Sequence, residues 1–225
     1  LPERQTFLSC TIEVTRTFAD TEFMTTEPAL GLRERKKLDT RRALSDAALE
    51  LMFERGLDQV LREDIAARAG VSVRTFTNYF ANKYEALAYR QIDRICRGIE
   101  LLRARPAGEP LWVAITEAML EPLRVDGLDA DPPPRDRLAE VRKLVGSPEA
   151  QAALTRTTTD AFTEAVAERT GTDPGTLYPR LVAEAVLGAL VAAIEVYPRC
   201  DPPASITALT RQALELVAAG LPEPS

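Results

Sequence analysis

With 225 residues, 45% of them hydrophobic, the chain is long enough to bury a sizeable core and too apolar for disorder throughout. It contains no histidine, which removes a histidine general base, a Ser-His-Asp triad and most catalytic zinc sites at the level of available atoms. The net charge of −6 conceals an asymmetry: residues 31–105 hold 16 Lys/Arg against 11 Asp/Glu, and the remainder 12 against 23. A basic segment on an acidic body suits a head that binds a polyanion and a body that avoids one.

Leu, Ala, Arg and Glu dominate, aromatics make up 6%, and alternating β-branched runs are scarce, so the expected fold is all-α. Residues 1–30 show no helical period and are read as a disordered leader. Met24 followed by Thr25, Thr26, Glu27 and Pro28 marks the expected translation start, with 1–23 an upstream extension lacking the apolar run of a signal peptide. A basic arm follows (Arg33, Arg35, Lys36, Lys37), read as a flexible phosphate-seeking tail. It leads into a helix over 40–55, capped by Thr40, with Leu44, Ala47, Ala48 and Leu51 as its buried stripe and Gly56 as a left-handed stop. A short helix over 62–69 ends at Gly70, and Ser72 caps a third over 73–79. Asn82 and Glu85 have capping-box spacing, so a fourth helix starts at Lys83 and buries Ile92, Ile95, Ile99 and Leu102.

Further helices are expected over 110–124, 136–145, 148–169, 176–196 and 206–219, separated by Pro/Gly/Asp-rich breakers. Ser147 before Pro148 and Glu149 combines an N-cap, an N1 proline and a first-turn acid. The most apolar segment, 181–196, carries Glu184 and Glu195 and falls short of the ~20 residues a bilayer requires. Cys10, Cys96 and Cys200 are far apart and odd in number, which fits buried structural thiols in a reducing cytoplasm and neither a disulfide framework nor a thiolate metal site.

The stretch over 64–80, DIAARAGVSVRTFTNYF, carries the functional signal. Ile65, Ala66 and Ala69 form a small apolar face, Gly70 permits the turn, Val71 plugs the angle between helices, and Phe76 and Phe80 bury the inner face of the next helix. This is helix-turn-helix spacing over 62–81, and it leaves Val73, Arg74, Thr75, Thr77 and Asn78 facing outward toward a major groove.

The pattern IAxxAGVSxRTFxNYFxxKxxAL, with RRALSDAALELMFERG ahead of it, resembles the DNA-binding signature of the TetR family over 40–87. The resemblance implies a three-helix DNA-binding domain over 31–90 and a helical effector-binding and dimerisation domain over 91–225. It further implies a homodimeric, cytoplasmic, non-enzymatic transcriptional repressor with no cofactor and no metal. Its partners would be a double-stranded DNA operator, a second copy of itself and a small-molecule effector, with no membrane. A ligand-independent activator or architectural DNA-binding protein is the alternative. Lys83 and the Tyr79 hydroxyl match the family's phosphate anchors, with Thr40, Arg41, Arg62 and Ser72 as further backbone contacts. Arg74 is the expected reader of a guanine, Asn78 of an adenine or a phosphate, and the methyls of Val73, Thr75 and Thr77 of thymine. Two positions depart from the family pattern: Leu61 stands where a Ser or Thr cap is usual, and Thr77 where many members carry an aromatic.

In the body, Trp112, Met119, Phe162 and Tyr178 are candidate ligand-lining residues, for a pocket between the fourth helix and those starting near Pro110 and Pro148. Without histidine or convergent charge, that pocket is expected to favour a largely apolar ligand. Glu184, Gly188, Ala192 and Glu195 share one face of the 176–196 helix, while the other faces are apolar. This helix and the last are therefore assigned to a two-fold four-helix dimer interface.

Overall fold

A computed structural model of the chain describes residues 32–129, 134–201 and 204–223. The leader, Met24 and Cys10 lie outside them. The described residues form nine α-helices and no strand: α1 (Leu32–Arg55), α2 (Arg62–Arg68), α3 (Val73–Tyr79), α4 (Lys83–Ala104), α5 (Leu111–Val125), α6 (Arg135–Val145), α7 (Pro148–Thr170), α8 (Leu177–Val196) and α9 (Ile206–Ala218). Single 3-10 turns, Leu57–Gln59 and Tyr197–Arg199, follow α1 and α8.

Side-chain caps set the N-terminal boundaries of four of these helices. Ser72, Asn82, Ser147 and Ser205 each accept the backbone N–H three residues on, at 3.0–3.2 Å, which satisfies one of the orphan donors of α3, α4, α7 and α9. In the capping box of α4, Glu85 accepts from the N–H of Ala81, at 2.8 Å, one residue before the cap.

The start of α1 corrects the sequence reading. Arg33, Arg35, Lys36 and Lys37 belong to the helix itself, and Thr40 is an interior residue whose hydroxyl donates to the Lys36 carbonyl at 2.7 Å. No Gly or Pro interrupts residues 32–55, and strong helix formers on both sides carry the helix through the threonine. Gly56 does adopt positive φ (85°), but its ψ of 151° places it outside the left-handed helical well.

Two cores form. The first gathers Leu44, Leu51 and Met52 of α1, Ile65 of α2, Phe76 of α3 and Leu87 of α4, and makes residues 32–90 a head. The second gathers Ile95, Ile99 and Leu102 of α4, Ile115 of α5, Phe162 of α7, Val186 of α8 and Leu214 of α9. Thus α4 runs unbroken from one core into the other. The apolar stretch is longer than expected: Leu177–Arg199 spans 23 residues and contains an 18-residue window with a mean hydropathy of 1.7, enough by length and composition alone to cross a bilayer. Its apolarity has another outlet, because Val182, Ala183, Val186, Leu187 and Leu190 pack into the body core. Cys96 is buried, whereas Cys200 is only half-buried after the second 3-10 turn, contrary to the expectation for all three thiols.

Candidate nucleic-acid interface and ligand cavity

The helix-turn-helix is built from the turn outward. Gly70 takes φ 69°, a conformation side chains resist, and lets the Val71 N–H reach back to the Ala66 carbonyl at 2.9 Å. Val71 then packs against the head core. On the inner side of α3, the Phe76 and Phe80 rings lie 5.9 Å apart, and Phe80 meets Tyr89 of α4 edge-on at 5.6 Å. Burying that face leaves Val73, Arg74, Thr77 and Asn78 exposed, with no acid on the helix.

These outward residues differ in how committed they are. Ser72 Oγ holds the Thr75 N–H at 3.0 Å and the Thr75 hydroxyl at 2.9 Å, so both side chains serve the cap, and Thr75 is half-buried. Thr77 donates to the Val73 carbonyl at 2.9 Å. Arg74 and Asn78 make no hydrogen bond or ion pair with another described residue, so the guanidinium and the amide are open for other partners.

Around this helix the flanking residues are partly engaged. Lys83 Nζ donates to the Leu57 carbonyl at 2.9 Å and lies 5.4 Å from the Tyr84 ring, while Tyr79 is half-buried beneath Arg41, whose guanidinium is 5.9 Å from the ring centre. Arg62 is exposed and paired with Glu63 at 2.8 Å; Thr40 is half-buried. Leu61, 56% exposed, sits at the N-cap of α2 with extended backbone and no side-chain bond. Glu63 and Asp64 in the first turn supply the negative charge that the helix dipole favours.

Where the head meets the body, α1, α4, α6, α7, α8 and Ile206 at the start of α9 line a partly open cavity of about 440 Å³. Its apolar wall includes Met52, Leu87, Leu144, Leu154, Val191 and Ile194, and its polar groups are Arg90, Gln91, Arg94, Arg137, Gln151 and Tyr197. Burial pulls the Arg94 guanidinium below its ordinary pKa and pushes the Tyr197 phenol above its own. The Arg90 guanidinium is raised, chiefly by its hydrogen bonds to Asp46.

None of the four ligand-lining candidates reaches this cavity. Phe162 is fully buried in the body core, Trp112 packs against that core, and Met119 is buried in it beside a void of about 10 Å³. Tyr178 is 50% exposed at the start of α8. The cavity uses α4 and the helix starting at Pro148, as the sequence indicated, but its remaining walls come from α1, α6 and α8 instead of α5.

Contacts between head and body were not visible in the sequence. Glu140 of α6 accepts the Leu57 N–H at 2.7 Å and the Lys143 ammonium at 2.8 Å; the Lys143 bond first, then the Leu57 N–H, hold its carboxyl below the ordinary range. Leu57 thus has its N–H on the body and its carbonyl on Lys83. Within the head, Ser45 of α1 donates to the Ala86 carbonyl of α4 at 2.7 Å. On α8, Glu184, Gly188 and Ala192 are exposed, while Glu195 is half-buried near Gln151. Leu177, Leu181 and, on α9, Leu216 extend the exposed surface with apolar side chains.

Residues 109–222 match the family described as the MftR C-terminal domain, and residues 44–88 the family described as bacterial regulatory proteins, tetR family. The transcriptional regulator TcmR of Streptomyces glaucescens is 41% identical over 80 residues, 35% of this chain and 35% of that protein, so the match spans about a third of that relative. The putative mycofactocin biosynthesis transcriptional regulator MftR of Mycobacterium tuberculosis is 28% identical over 191 residues, covering 83% of this chain and 93% of the relative. Among solved structures, Thermus thermophilus FadR, a TetR-family transcriptional repressor in complex with lauroyl-CoA, aligns with a TM-score of 0.53 at 19% identity, over 82% of this chain and 96% of that one. That likeness is one of fold.

Proposed function

The chain belongs to the TetR family of bacterial regulatory proteins, and from that premise we propose that it is a homodimeric repressor released from its operator by a small, largely apolar ligand. The observation that carries the DNA-binding half is α3, which buries Phe76 and leaves Arg74 and Asn78 exposed and unpartnered among the described residues. An exposed guanidinium suits bidentate contact with a guanine edge, and an amide suits adenine. Lys83, Tyr79, Arg41, Thr40, Arg62 and Ser72 surround it as backbone contacts. Lys83 has three N–H donors and spends one on Leu57, so two remain for phosphate.

Support for the ligand half comes from the cavity. Its walls are mostly apolar and its volume lies in the range of small-molecule sites. Because α1 and α4 form part of those walls, an occupant touches the head directly. A ligand then lowers DNA affinity by as much as it prefers the head orientation that DNA does not accept. The exposed face of α8, with its small residues Gly188 and Ala192, and the neighbouring α9 are our assignment for dimer contact. We divide the chain into a DNA-binding domain over 31–90 and an effector and dimerisation domain over 91–225, and we place it in the cytoplasm with its DNA partner.

Selection of bound duplexes from a random pool tests this reading. The expected product is a dyad-symmetric site with half-sites about 34–36 Å apart, one helical turn or a multiple of it. No enrichment, or an asymmetric single site, would overturn the proposal.

A further inference from the structure

The cavity proposed as the ligand site has three arginines among its lining residues, Arg90 and Arg94 of α4 and Arg137 of α6, and no Asp or Glu. Arg137 lies 5.4 Å from the Phe53 ring and has no acidic partner among the described residues. The other two are held from outside the lining. Arg94 donates to Asp126 at 2.8 Å, and Asp126 also takes Arg97 at 2.8 Å, so this cluster stays within the body. Arg90 clasps Asp46 with two bonds of 2.7 Å each. Asp46 lies on α1, between Ser45 and Ala47, and Arg90 stands on α4 where that helix passes from head to body, so this fork ties α1 to α4 at the cavity wall.

The fork is placed to be exchanged. Arg90 and Asp46 are 29% and 43% exposed, so water and salt screen this bidentate pair more than they would a fully buried one. An anion delivered from the cavity side would meet Arg90 in drier surroundings, where the same charge pair is stronger. The seam between α1 and α4 also has an unmet demand. Asp93 Oδ1 and Arg42 Nε are both buried without a hydrogen-bond partner, although Arg42 Nη2 stands only 3.6 Å from that oxygen. A shift of α1 along α4 by a few tenths of an ångström would close this gap, which gives the head a second seat once Asp46 lets go.

We propose that the cavity takes an amphipathic acid, an apolar chain ending in an anionic group, and that this group moves the head by taking Arg90 from Asp46. This rests on the cavity being the ligand site. The acid replaces one carboxylate by another on the same guanidinium, so no charge is left unpaired in the wall.

Decanoate and decanol, equal in chain length and different in charge, make the test when titrated calorimetrically into the full chain. Decanoate is expected to bind about tenfold tighter than decanol, the size of one charge-assisted pair. Asp46→Asn should tighten decanoate by about another tenfold, since the competitor is weakened, and leave decanol unchanged. Arg90→Gln should erase the preference for the acid while decanol binding reports an intact fold. Decanoate should also speed hydrogen exchange over residues 42–50 in the native chain and not in Asp46→Asn. Equal affinities for acid and alcohol, or an Asp46→Asn variant with unaltered decanoate affinity, would overturn the switch and leave the cavity as a ligand site. If neither probe binds, the cavity reading fails and the switch with it.

Discussion

The head and the body solve the same packing problem with opposite economies of length. In the head, α2 and α3 have seven residues each, too few to persist alone. They are held by the Ser72 cap, the Gly70 turn, the ring stack of Phe76, Phe80 and Tyr89, and a fork from Arg68 to Glu54 at 2.7 and 2.9 Å. The body uses helices of up to 23 residues that carry much of their own backbone satisfaction. Along α7, the hydroxyls of Thr155, Thr157, Thr158, Thr159, Thr163 and Thr170 all return to carbonyls one turn back, so threonines enter the interior without needing partners elsewhere. The 440 Å³ cavity lies along the long helices α1, α4, α7 and α8 together with α6, and none of its lining comes from the short α2 and α3. The head is therefore suited to move as a rigid unit, and the body to deform around an occupant.

Substitutions can break or sharpen that contrast. Phe76→Ala removes a fully buried ring that packs against Phe80 and should cost ~3–5 kcal/mol in chemical denaturation. DNA binding should vanish while an apolar probe still binds the cavity; loss of both would show that head and body melt as one unit. Arg74→Ala should leave stability unchanged and remove ~1–3 kcal/mol of discrimination at one base pair per half-site, read by competition among operator variants.

Glu140→Ala acts on the seam between the two regions. Freeing the Leu57 N–H should cost ~1–2 kcal/mol and raise hydrogen exchange at the Leu57 amide while the Phe76 amide stays protected. The pH sign follows from the carboxyl being held below its ordinary range, first by Lys143 and then by Leu57. Its contribution is complete above the unfolded-state pKa and is lost as pH falls through the folded one, so variant and native stabilities should converge in acid. Lys83→Ala should weaken binding to all duplexes alike and flatten the salt dependence by about one unit of slope; a change confined to one sequence would reassign Lys83 as a base reader. Leu61→Ser should stabilise the head by ~1 kcal/mol, because it supplies the missing cap of α2 and sacrifices a side chain that is 56% exposed.

Legibility in the sequence followed the range of the interactions. Ser72 and Phe80 bracket α3 within nine residues, and its bounds match their expectation. The stripe Ile92, Ile95, Ile99 and Leu102 is buried because a helical period needs only its own helix to be seen. Thr40 misled because a threonine reads as a cap until its neighbours prove to be helical on both sides. Phe162 lies in the body core and Trp112 packs partly buried against it, because large apolar side chains are the ones a core recruits first. Arg90 and Arg94 do carry a faint signal, two cations one turn apart beside Leu87 and Ala88, but the same pattern describes any solvated edge of an amphipathic helix.

The amino-acid sequence by itself determined the helices and most of their bounds apart from the start of α1, the exposed face of α3 and the family, because caps, turns and apolar stripes act within a few residues of one another. Tertiary structure alone decided the cavity and the contacts that join it to the head. Asp46 meets Arg90 across 44 positions, Leu57 meets Glu140 across 83, and the cavity wall runs from Leu49 to Ile206. Such pairings have no period to betray them, since they depend on the distances and angles at which whole helices settle against each other.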